Sequence, residues 1–281
     1  MTYTALDRNG FDAIADAHPD VVIPLEQTPD WAEFEKALGR KPLGIWVYRN
    51  DAGEVVATAS FVHVSSRLRE SVVVVNGPVW FVERTPAAER MLMETVREQF
   101  REDPSVDPLY VRMQVETMQL PATGPIEHGW YEREIVVDLT PTEADILKSF
   151  GSNARNRIKR AERAGVETRV IPREQWTEVF ASELFPIMQE TAERGGFQSF
   201  DSAFYETLLA TLGDHLNLLV AYHEGVPVSW LITTEYRRYS VYYFAGSTHQ
   251  ARETFAPYLL LWEAFKMLKA SGNTSCGMTG I

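Results

Sequence analysis

The order of predicted elements is repeated once along this chain of 281 residues, and the repeat is the strongest constraint on its fold. In the first half, β-branched runs and helical spacing predict strands at 45–49, 55–64 and 72–75, a helix at 86–101, and strands at 109–115 and 135–139. In the second half, the same patterns predict strands at 216–222, 228–234 and 240–244, a helix at 256–270, and a strand that begins at 274. Strand, hairpin, strand, helix and strand therefore recur in one order, which predicts a duplicated α/β unit.

The segment between the halves predicts a basic helix, a strand at 166–171, a helix at 173–193 that breaks near Pro186, and a helix at 201–212. The turn residues Asn76-Gly77-Pro78 and Ala245-Gly246-Ser247 occupy matching places in the two copies. We predict the α/β (α+β) class, with two domains at 1–145 and 146–281. Each domain is expected to be a mixed, mostly antiparallel sheet flanked by helices.

The basic helix contrasts with the rest of the sequence. From Lys148 to Arg173 there are eight Lys or Arg and two Asp or Glu, whereas the whole chain has a formal net charge of −12. On the helix, Arg155, Lys159, Arg160 and Arg163 lie opposite a narrow apolar arc. A localised anion site, with these four as candidate tRNA or anion ligands, is one interpretation. A solvated basic face that links two halves is the alternative.

Composition and patterning exclude several other classes. A single cysteine, Cys276, excludes an internal disulfide framework and a cysteine-based zinc cluster. The acidic N-terminus lacks the features of a signal peptide. The longest uncharged apolar run, 71–82, is short of the roughly twenty residues needed to span a bilayer. We expect a cytoplasmic protein without a transmembrane segment, and work at the inner membrane surface stays compatible with this sequence.

Common catalytic signatures are absent from the sequence. It contains no nucleophile-elbow Gly-x-Ser-x-Gly, no Walker phosphate loop, no His-Glu-x-x-His and no dinucleotide Gly-x-Gly-x-x-Gly. The histidines have no ligand spacing, so no metal site is predicted. The strand order suits an acetyl-CoA binder of the GNAT fold, which holds the pyrophosphate in a glycine-rich turn. The matching turn, 246–257, has no glycine after Gly246 and carries Glu253.

Taken together, these residues resemble the FemABX family of peptidoglycan-bridge aminoacyltransferases, whose members have two GNAT-like domains. The motifs that carry the resemblance are Gln27-x-x-x-Trp31, Asn153-x-Arg155-x-x-x-Ile158-Lys159-x-Ala161-x-x-x-Gly165-Val166, Glu190-Thr191-x-x-Arg194-x-x-Phe197, Tyr242-Tyr243-x-Ala245-Gly246-Ser247, Ala256-Pro257-x-x-Leu260-x-Trp262-Glu263-Ala264 and Thr279-Gly280-Ile281. The coiled-coil arm that some members carry is absent, so the chain resembles the compact type.

The resemblance implies transfer of an amino acid from aminoacyl-tRNA, as donor substrate, to a stem-peptide amine of a peptidoglycan precursor (lipid II or UDP-MurNAc-pentapeptide), with no separate cofactor. Aminolysis of an activated ester needs positioning and oxyanion stabilisation rather than a covalent intermediate. By position, Lys36 and Arg194 are candidate precursor contacts, with Tyr242 or Tyr243 beside them. Because neighbouring residues of a strand point to opposite faces, only one of the two tyrosines is expected to face a cleft.

The sequence departs from the family in two places. Many relatives carry Tyr-Asp where this chain has Cys276-Gly277, so a carboxylate is lost. Relatives also continue past the closing Gly-Ile, through a segment with a lysine implicated in activity, so we expect the second domain to be incomplete at its C-terminus. Two other functions stay open: an acyl-CoA-dependent GNAT N-acyltransferase, and a non-catalytic module that binds RNA or anionic lipid.

Overall fold

A computed structural model describes residues 1–66, 69–102, 110–116 and 133–280. The chain forms two compact units, Met1–Gly129 and Trp130–Ile281, called unit 1 and unit 2. The ends of two sequence features, Leu109 of a predicted strand and Ile281 of the closing motif, lie outside the described residues.

Unit 1 is built on a six-stranded sheet with the order β1-β2-β3-β4-β6, and β5 pairs with β3. Its elements are β1 (Thr2–Leu6), α1 (Arg8–Ala17), α2 (Pro29–Ala37), β2 (Lys41–Arg49), β3 (Val55–Ser66), β4 (Arg69–Val73), β5 (Val79–Trp80), α3 (Pro86–Glu102) and β6 (Tyr110–Arg112), with a 3-10 turn at Leu25–Gln27. The strands are antiparallel except for the β4–β6 pair, which is parallel.

Side-chain caps begin both N-terminal helices of unit 1. Asp7 accepts a hydrogen bond from the Gly10 N–H at the start of α1, and Thr28 accepts one from the Trp31 N–H at the start of α2. Apolar side chains of β2, β3 and β4 form the core with α3, including Tyr48, Phe61 and Leu92. The sequence predicts α2, because Thr28 or Asp30 can cap a helix that Gly39 ends, whereas β1, α1 and β5 are additions to the sequence-based prediction.

Unit 2 is built on a second six-stranded sheet with the order β7-β12-β11-β10-β9-β8. Its elements are β7 (Glu134–Asp138), α4 (Glu143–Ser149), α5 (Ser152–Arg163), β8 (Glu167–Val170), α6 (Trp176–Val179), a π-helical turn (Phe180–Leu184), α7 (Phe185–Gly195), α8 (Ser202–Leu212), β9 (Leu216–His223), β10 (Val226–Tyr236), β11 (Tyr239–Ser247), α9 (His249–Thr254), α10 (Ala256–Ala270) and β12 (Ser275–Gly280), with 3-10 turns at Arg173–Gln175 and Gly213–His215.

One strand accounts for the difference between the structural division at Gly129 and the sequence-based boundary at 145/146. Strand β7 pairs antiparallel with β12, so residues 134–138 belong to the sheet of unit 2. The local pattern of β7 could not reveal this, because its pairing partner lies near the end of the chain.

The two sheets share one topology, and the predicted α+β class with two tandem GNAT-like units is confirmed. The first four strands of the repeat are β1-β2-β3-β4 in unit 1 and β8-β9-β10-β11 in unit 2, and both runs are antiparallel. In each unit a helix follows, α3 or α10, and the next strand returns parallel to the fourth. Helices α5 and α10 pack on one face of the second sheet, around Ile158, Leu260 and Phe265.

Candidate functional site

The sheet of unit 2 opens between its two parallel strands. β11 and β12 pair at only three positions, and the last pair is Val241 with Gly277. Both strands continue, β11 to Ser247 and β12 to Gly280, but their pairing does not. Beyond Val241, β11 therefore presents backbone groups to the gap rather than to β12.

A β-bulge lies on β11 at this opening. Ile232 is opposite Phe244 and Thr233 is opposite Tyr242, so Tyr243 is the extra residue of the bulge. Bulges turn a strand and re-aim its side chains, and they are frequent beside active sites. Here Tyr242 packs into the core that α10 covers, while Phe244 contacts Phe204 and Tyr205 of α8. Simple alternation along the strand therefore does not hold between these two residues.

The sequence-predicted tyrosines thus have different surroundings. Burial raises the pKa of Tyr242 to about 12, so its hydroxyl is protonated at neutral pH. The ring of Tyr243 is 5.0 Å from that of Phe244, edge to face. A role for either tyrosine in substrate binding stays a prediction.

The matching place in unit 1 is closed. There the Val74 N–H donates to the Arg112 carbonyl, and the Gln114 N–H donates to the Gly77 carbonyl at 2.9 Å. The parallel strands β4 and β6 therefore remain connected past the end of β4. The buried Gln27 side chain accepts from the Ser60 N–H and donates to the Val75 carbonyl. A side chain at Gly77 would overlap the Gln27 amide. The Gln27 motif therefore has a structural role, and the opening is a feature of unit 2.

A concave basic surface, here called the basic cleft, lies where α5 meets the start of α10. One part has a volume of about 570 Å³ and is lined by Asn153, Asn156, Arg157, Lys159, Arg160, Arg163 and Phe255. An adjoining part of about 440 Å³ is lined by Arg157, His249, Arg252, Glu253, Phe255, Pro257 and Tyr258. The two parts share Arg157 and Phe255, so they form a continuous surface.

Aromatic rings hold the arginines of this cleft. The Arg157 guanidinium donates a hydrogen bond to the Tyr258 hydroxyl and lies 4.8 Å from the centre of that ring. The Arg160 guanidinium lies 4.3 Å from the centre of the Phe255 ring. Such cation–π contacts orient a guanidinium without neutralising its charge.

The cations of the basic cleft lack acidic partners within the part of the chain that the structure describes. No carboxylate oxygen lies within 4.0 Å of a side-chain nitrogen of Arg157, Lys159, Arg160, Arg163 or Arg252. By contrast, Arg8, Arg40 and Arg84 each form an ion pair with a carboxylate. In a chain of net charge −12, a group of unpaired cations on a concave surface favours an external anion.

The structure brings three of the four predicted anion ligands together. Lys159, Arg160 and Arg163 line the basic cleft, whereas Arg155 donates to the backbone carbonyls of Lys148 and Phe150 at the junction of α4 and α5. Arg157 and Arg252 were not among the predicted ligands. The signal for Arg157 is the pair of aromatic residues, Phe255 and Tyr258, which are distant in sequence from α5 but adjacent to it in the fold.

Arg194 links α7 to the end of β11. Its guanidinium donates to the Ser247 carbonyl at 2.8 Å and to the Ser247 hydroxyl at 3.1 Å. Thr191 accepts from the Ser247 N–H, and Glu190 accepts from the His249 N–H at 2.7 Å. The motif around Arg194 therefore fixes the strand that borders the opening. Contact of Arg194 with a precursor stays a prediction.

Lys36 belongs to unit 1, in the last turn of α2. Its ammonium group is 3.8 Å from a Glu33 carboxylate oxygen, and its side chain is 71% exposed. An exposed pair of this kind contributes little to stability. The contact of Lys36 with a precursor also stays a prediction.

The turn that would hold a pyrophosphate in an acyl-CoA enzyme has a different form here. Thr248 caps the short helix α9, and α10 begins directly after Phe255, whose backbone is left-handed at φ 58°. A glycine-rich turn leaves its backbone N–H groups accessible to a phosphate, whereas this turn carries the Phe255 side chain. This geometry argues against acyl-CoA as the donor.

The described residues lack a metal site and a membrane-spanning helix. They contain no group of three or more His, Cys, Asp or Glu side chains placed to hold a metal ion. None of the helices in this part of the chain has the length and apolarity to cross a bilayer.

Comparisons with known proteins confirm the resemblance to the FemABX family. The FemAB family model matches residues 122–226, which include α5. The structure is similar to that of FemX (TM-score 0.77, 15% identity), with all of this chain and 89% of that chain covered. It is also similar to a conserved protein of unknown function from Bacteroides thetaiotaomicron (TM-score 0.54, 9% identity, 99% and 89% covered).

A third solved structure is the C-terminal domain of a protein named as a lysylphosphatidylglycerol synthetase, from Agrobacterium fabrum. Its TM-score is 0.51 at 13% identity, with 95% of this chain and 78% of that chain covered. By sequence, no curated protein matches this chain. The matched family model and the fold support an enzyme of the acyltransferase class.

Proposed function

We propose that this protein is an aminoacyltransferase that moves an amino acid from aminoacyl-tRNA to the stem-peptide amine of a peptidoglycan precursor. The donor binds at the basic cleft, and its ester reaches the opening between β11 and β12. The acceptor is UDP-MurNAc-pentapeptide or its lipid-linked form.

The basic cleft is the observation that carries this proposal. Its unpaired cations and stacked rings suit the terminal nucleotides of an RNA, whose phosphates bind arginine and whose bases stack on guanidinium and aromatic planes. Its volume of about 570 Å³ lies in the range of small-ligand sites, roughly 300–1,000 Å³. A nucleotide or two fit such a concavity, whereas a duplex stem is too wide.

The opening supplies what ester aminolysis requires of a protein. Its unpaired strand edge provides backbone N–H groups that can stabilise an oxyanion, and no covalent intermediate is needed. Arg194 holds that edge in place through Ser247. Lys36 and Arg194 stay candidates for the anionic groups of the precursor.

A transfer assay with the purified full chain tests the proposal. A mixture of tRNAs charged with labelled amino acids is incubated with UDP-MurNAc-pentapeptide, and mass spectrometry detects the added aminoacyl group. Parallel reactions replace the donor with acetyl-CoA, or the acceptor with phosphatidylglycerol vesicles. The last reaction is included because a protein named as a lysylphosphatidylglycerol synthetase shares the fold.

The product identifies the function. An aminoacylated precursor, formed only with charged tRNA, supports the proposal. Acetylated product refutes it in favour of a GNAT N-acyltransferase, and aminoacylated lipid refutes the precursor as acceptor. Binding of tRNA without any product would identify the non-catalytic module instead.

A further inference from the structure

A carboxylate lies at the inner end of the opening in unit 2, on the face of the sheet opposite α10. Gly277 is the last residue of β12 that pairs with β11. The side chains of Glu134, from β7, and Tyr239, from β11, converge over Gly277, so a methyl group at Gly277 would overlap both. The Tyr239 hydroxyl is 3.5 Å from a Glu134 carboxylate oxygen, which places the two groups side by side.

Local irregularity of β12 produces this convergence. The register of β12 with β7 shifts between Gly277 and Gly280, and Gly280 is opposite Glu134. Within that shift Thr279 has a left-handed backbone at φ 55°, and its N–H donates to the Glu134 carboxylate. Partial burial raises the pKa of Glu134, although the Thr279 and Tyr239 hydrogen bonds lower it. This carboxylate is thus held by defined donors rather than extended into solvent.

The two faces of the opening carry different groups. Cys276 and Tyr242 point to the α10 face, where the basic cleft lies, and Gly277 and Tyr239 point to the other face. An anionic donor approaches from the basic side, and a cationic ammonium group is attracted to Glu134 on the opposite side. The two substrates can then meet at the gap where the strands separate.

We propose that Glu134 is the carboxylate that binds the acceptor amine and accepts its proton during aminoacyl transfer. Its carboxylate reaches the space over Gly277 from β7, the strand that pairs with β12. The inference rests on the proposed function.

The proton movement is balanced as follows. The ammonium group first releases one proton to solvent. The neutral amine then attacks the ester carbonyl carbon, the C–N bond forms, and Glu134 accepts one of the two remaining amine protons. The ester C–O bond then breaks, and Glu134 returns this proton to the leaving ribose oxygen. The products are an amide that keeps one N–H and a tRNA with a free ribose hydroxyl. The Tyr239 hydroxyl positions the carboxylate.

Three variants test this inference. Glu134→Gln removes the charge with little change of shape. Because a general base contributes about 10²–10⁴-fold to the rate, this variant should lose at least about 100-fold in kcat. The triple variant Glu134→Ala/Tyr239→Phe/Gly277→Asp moves a carboxylate from β7 to β12, into the space that the shorter side chain and the missing hydroxyl vacate. It should recover at least about tenfold over Glu134→Ala/Tyr239→Phe, a result that a merely structural role does not give.

Glu174→Gln is the matched control, because Glu174 is an exposed glutamate elsewhere in unit 2. It should keep the activity of the parent protein. Circular dichroism and thermal unfolding verify that each variant is folded. A Glu134→Gln variant that retains kcat within about threefold of the parent would overturn the inference, as would a Gly277→Asp change that gives no recovery.

A binding measurement separates this inference from the proposed function. UDP-MurNAc-pentapeptide with a free side-chain amine is compared by calorimetry with the same molecule N-acetylated at that amine. The parent protein should bind the molecule with the free amine about tenfold or more tightly than the acetylated one, a difference that corresponds to at least one charge-assisted hydrogen bond. Glu134→Gln should bind the two molecules equally. If the parent transfers no amino acid, the proposed function fails, but the amine preference still decides the role of Glu134. Equal preference in both proteins refutes it.

Discussion

The basic cleft predicts a measurable, salt-dependent affinity for RNA that two arginines carry. Arg157 and Arg160 lie on the rings of Tyr258 and Phe255 without a carboxylate partner among the described residues. Under the proposed function, each contacts one phosphate of a bound strand. The double variant Arg157→Ala/Arg160→Ala removes both contacts and leaves the rings in place.

The size of the effect follows from counterion release. Each phosphate contact to a single strand contributes a slope of about −0.7 to the dependence of log K on log salt concentration, so loss of two contacts should make the slope shallower by about 1.4. At about 0.15 M salt this corresponds to roughly tenfold weaker binding, or about 1.4 kcal/mol. The measurement is a fluorescence-anisotropy titration of labelled deacylated tRNA at several salt concentrations.

The control variant is Arg169→Ala/Arg173→Ala. It removes two positive charges from unit 2, as Arg157→Ala/Arg160→Ala does. However, both of its arginines are exposed and already paired with a carboxylate, Arg169 with Glu167 and Arg173 with Asp214. Its salt slope should match that of the parent protein. If the slope of log K against log salt concentration is the same for the parent and for Arg157→Ala/Arg160→Ala, the cleft is not the RNA site. If the control changes the slope as much as Arg157→Ala/Arg160→Ala does, the effect comes from net charge alone.

Three further predictions concern stability and reactivity. Gly246→Ala should lower the free energy of unfolding in urea by about 1–3 kcal/mol, because its methyl group would press on the fully buried Trp230 indole. Gly151→Ala has open space around it and should cost less, about 1 kcal/mol or below, for the change from glycine to alanine at the N-cap of α5. Gln27→Ala should lower the same free energy by about 1–3 kcal/mol, because it leaves the buried Ser60 N–H and the partly buried Val75 carbonyl without their partner. Cys276 should react slowly with a thiol reagent at pH 8, since burial raises its pKa to about 11 and about 0.1% is then thiolate.

One outcome would contradict each of these three predictions. An unfolding curve for Gly246→Ala that overlays that of Gly151→Ala would mean that the Trp230 side chain moves aside at no cost. A fully stable Gln27→Ala variant would show that other groups or water satisfy the end of β4. Rapid, stoichiometric labelling of Cys276 in the folded protein, rather than only after unfolding, would contradict its burial.

Much of the architecture could be predicted because it depends on local patterns. Hydrophobic periodicity and turn residues indicated the repeated strands and helices, and the two sheets have the same topology. The break before Pro186 is also as expected, since α7 begins at Phe185 directly after a π-helical turn. The charge contrast identified α5, because a run of arginines is visible in any window of the sequence.

The site required the tertiary structure because its parts come from distant segments. Alternation along a strand would place Tyr242 and Phe244 on the same face of the sheet, but the bulge at Tyr243 places them on opposite faces. The bulge arises from the pairing of β11 with β10 and has no local signal in the sequence. Arg155 is engaged by the backbone at the end of α4, whereas Arg157, which the sequence did not distinguish, lies on Tyr258.

The sequence by itself determined which elements form and where cations concentrate, because backbone preference, burial period and charge are properties of short segments. Only the tertiary structure decided that backbone hydrogen bonds connect the parallel strands of unit 1 past the end of β4, while those of unit 2 separate. It likewise decided that Glu134 covers Gly277. Contacts between residues separated by 100 or more positions depend on strand order and register, which are fixed when the whole sheet buries its apolar faces together.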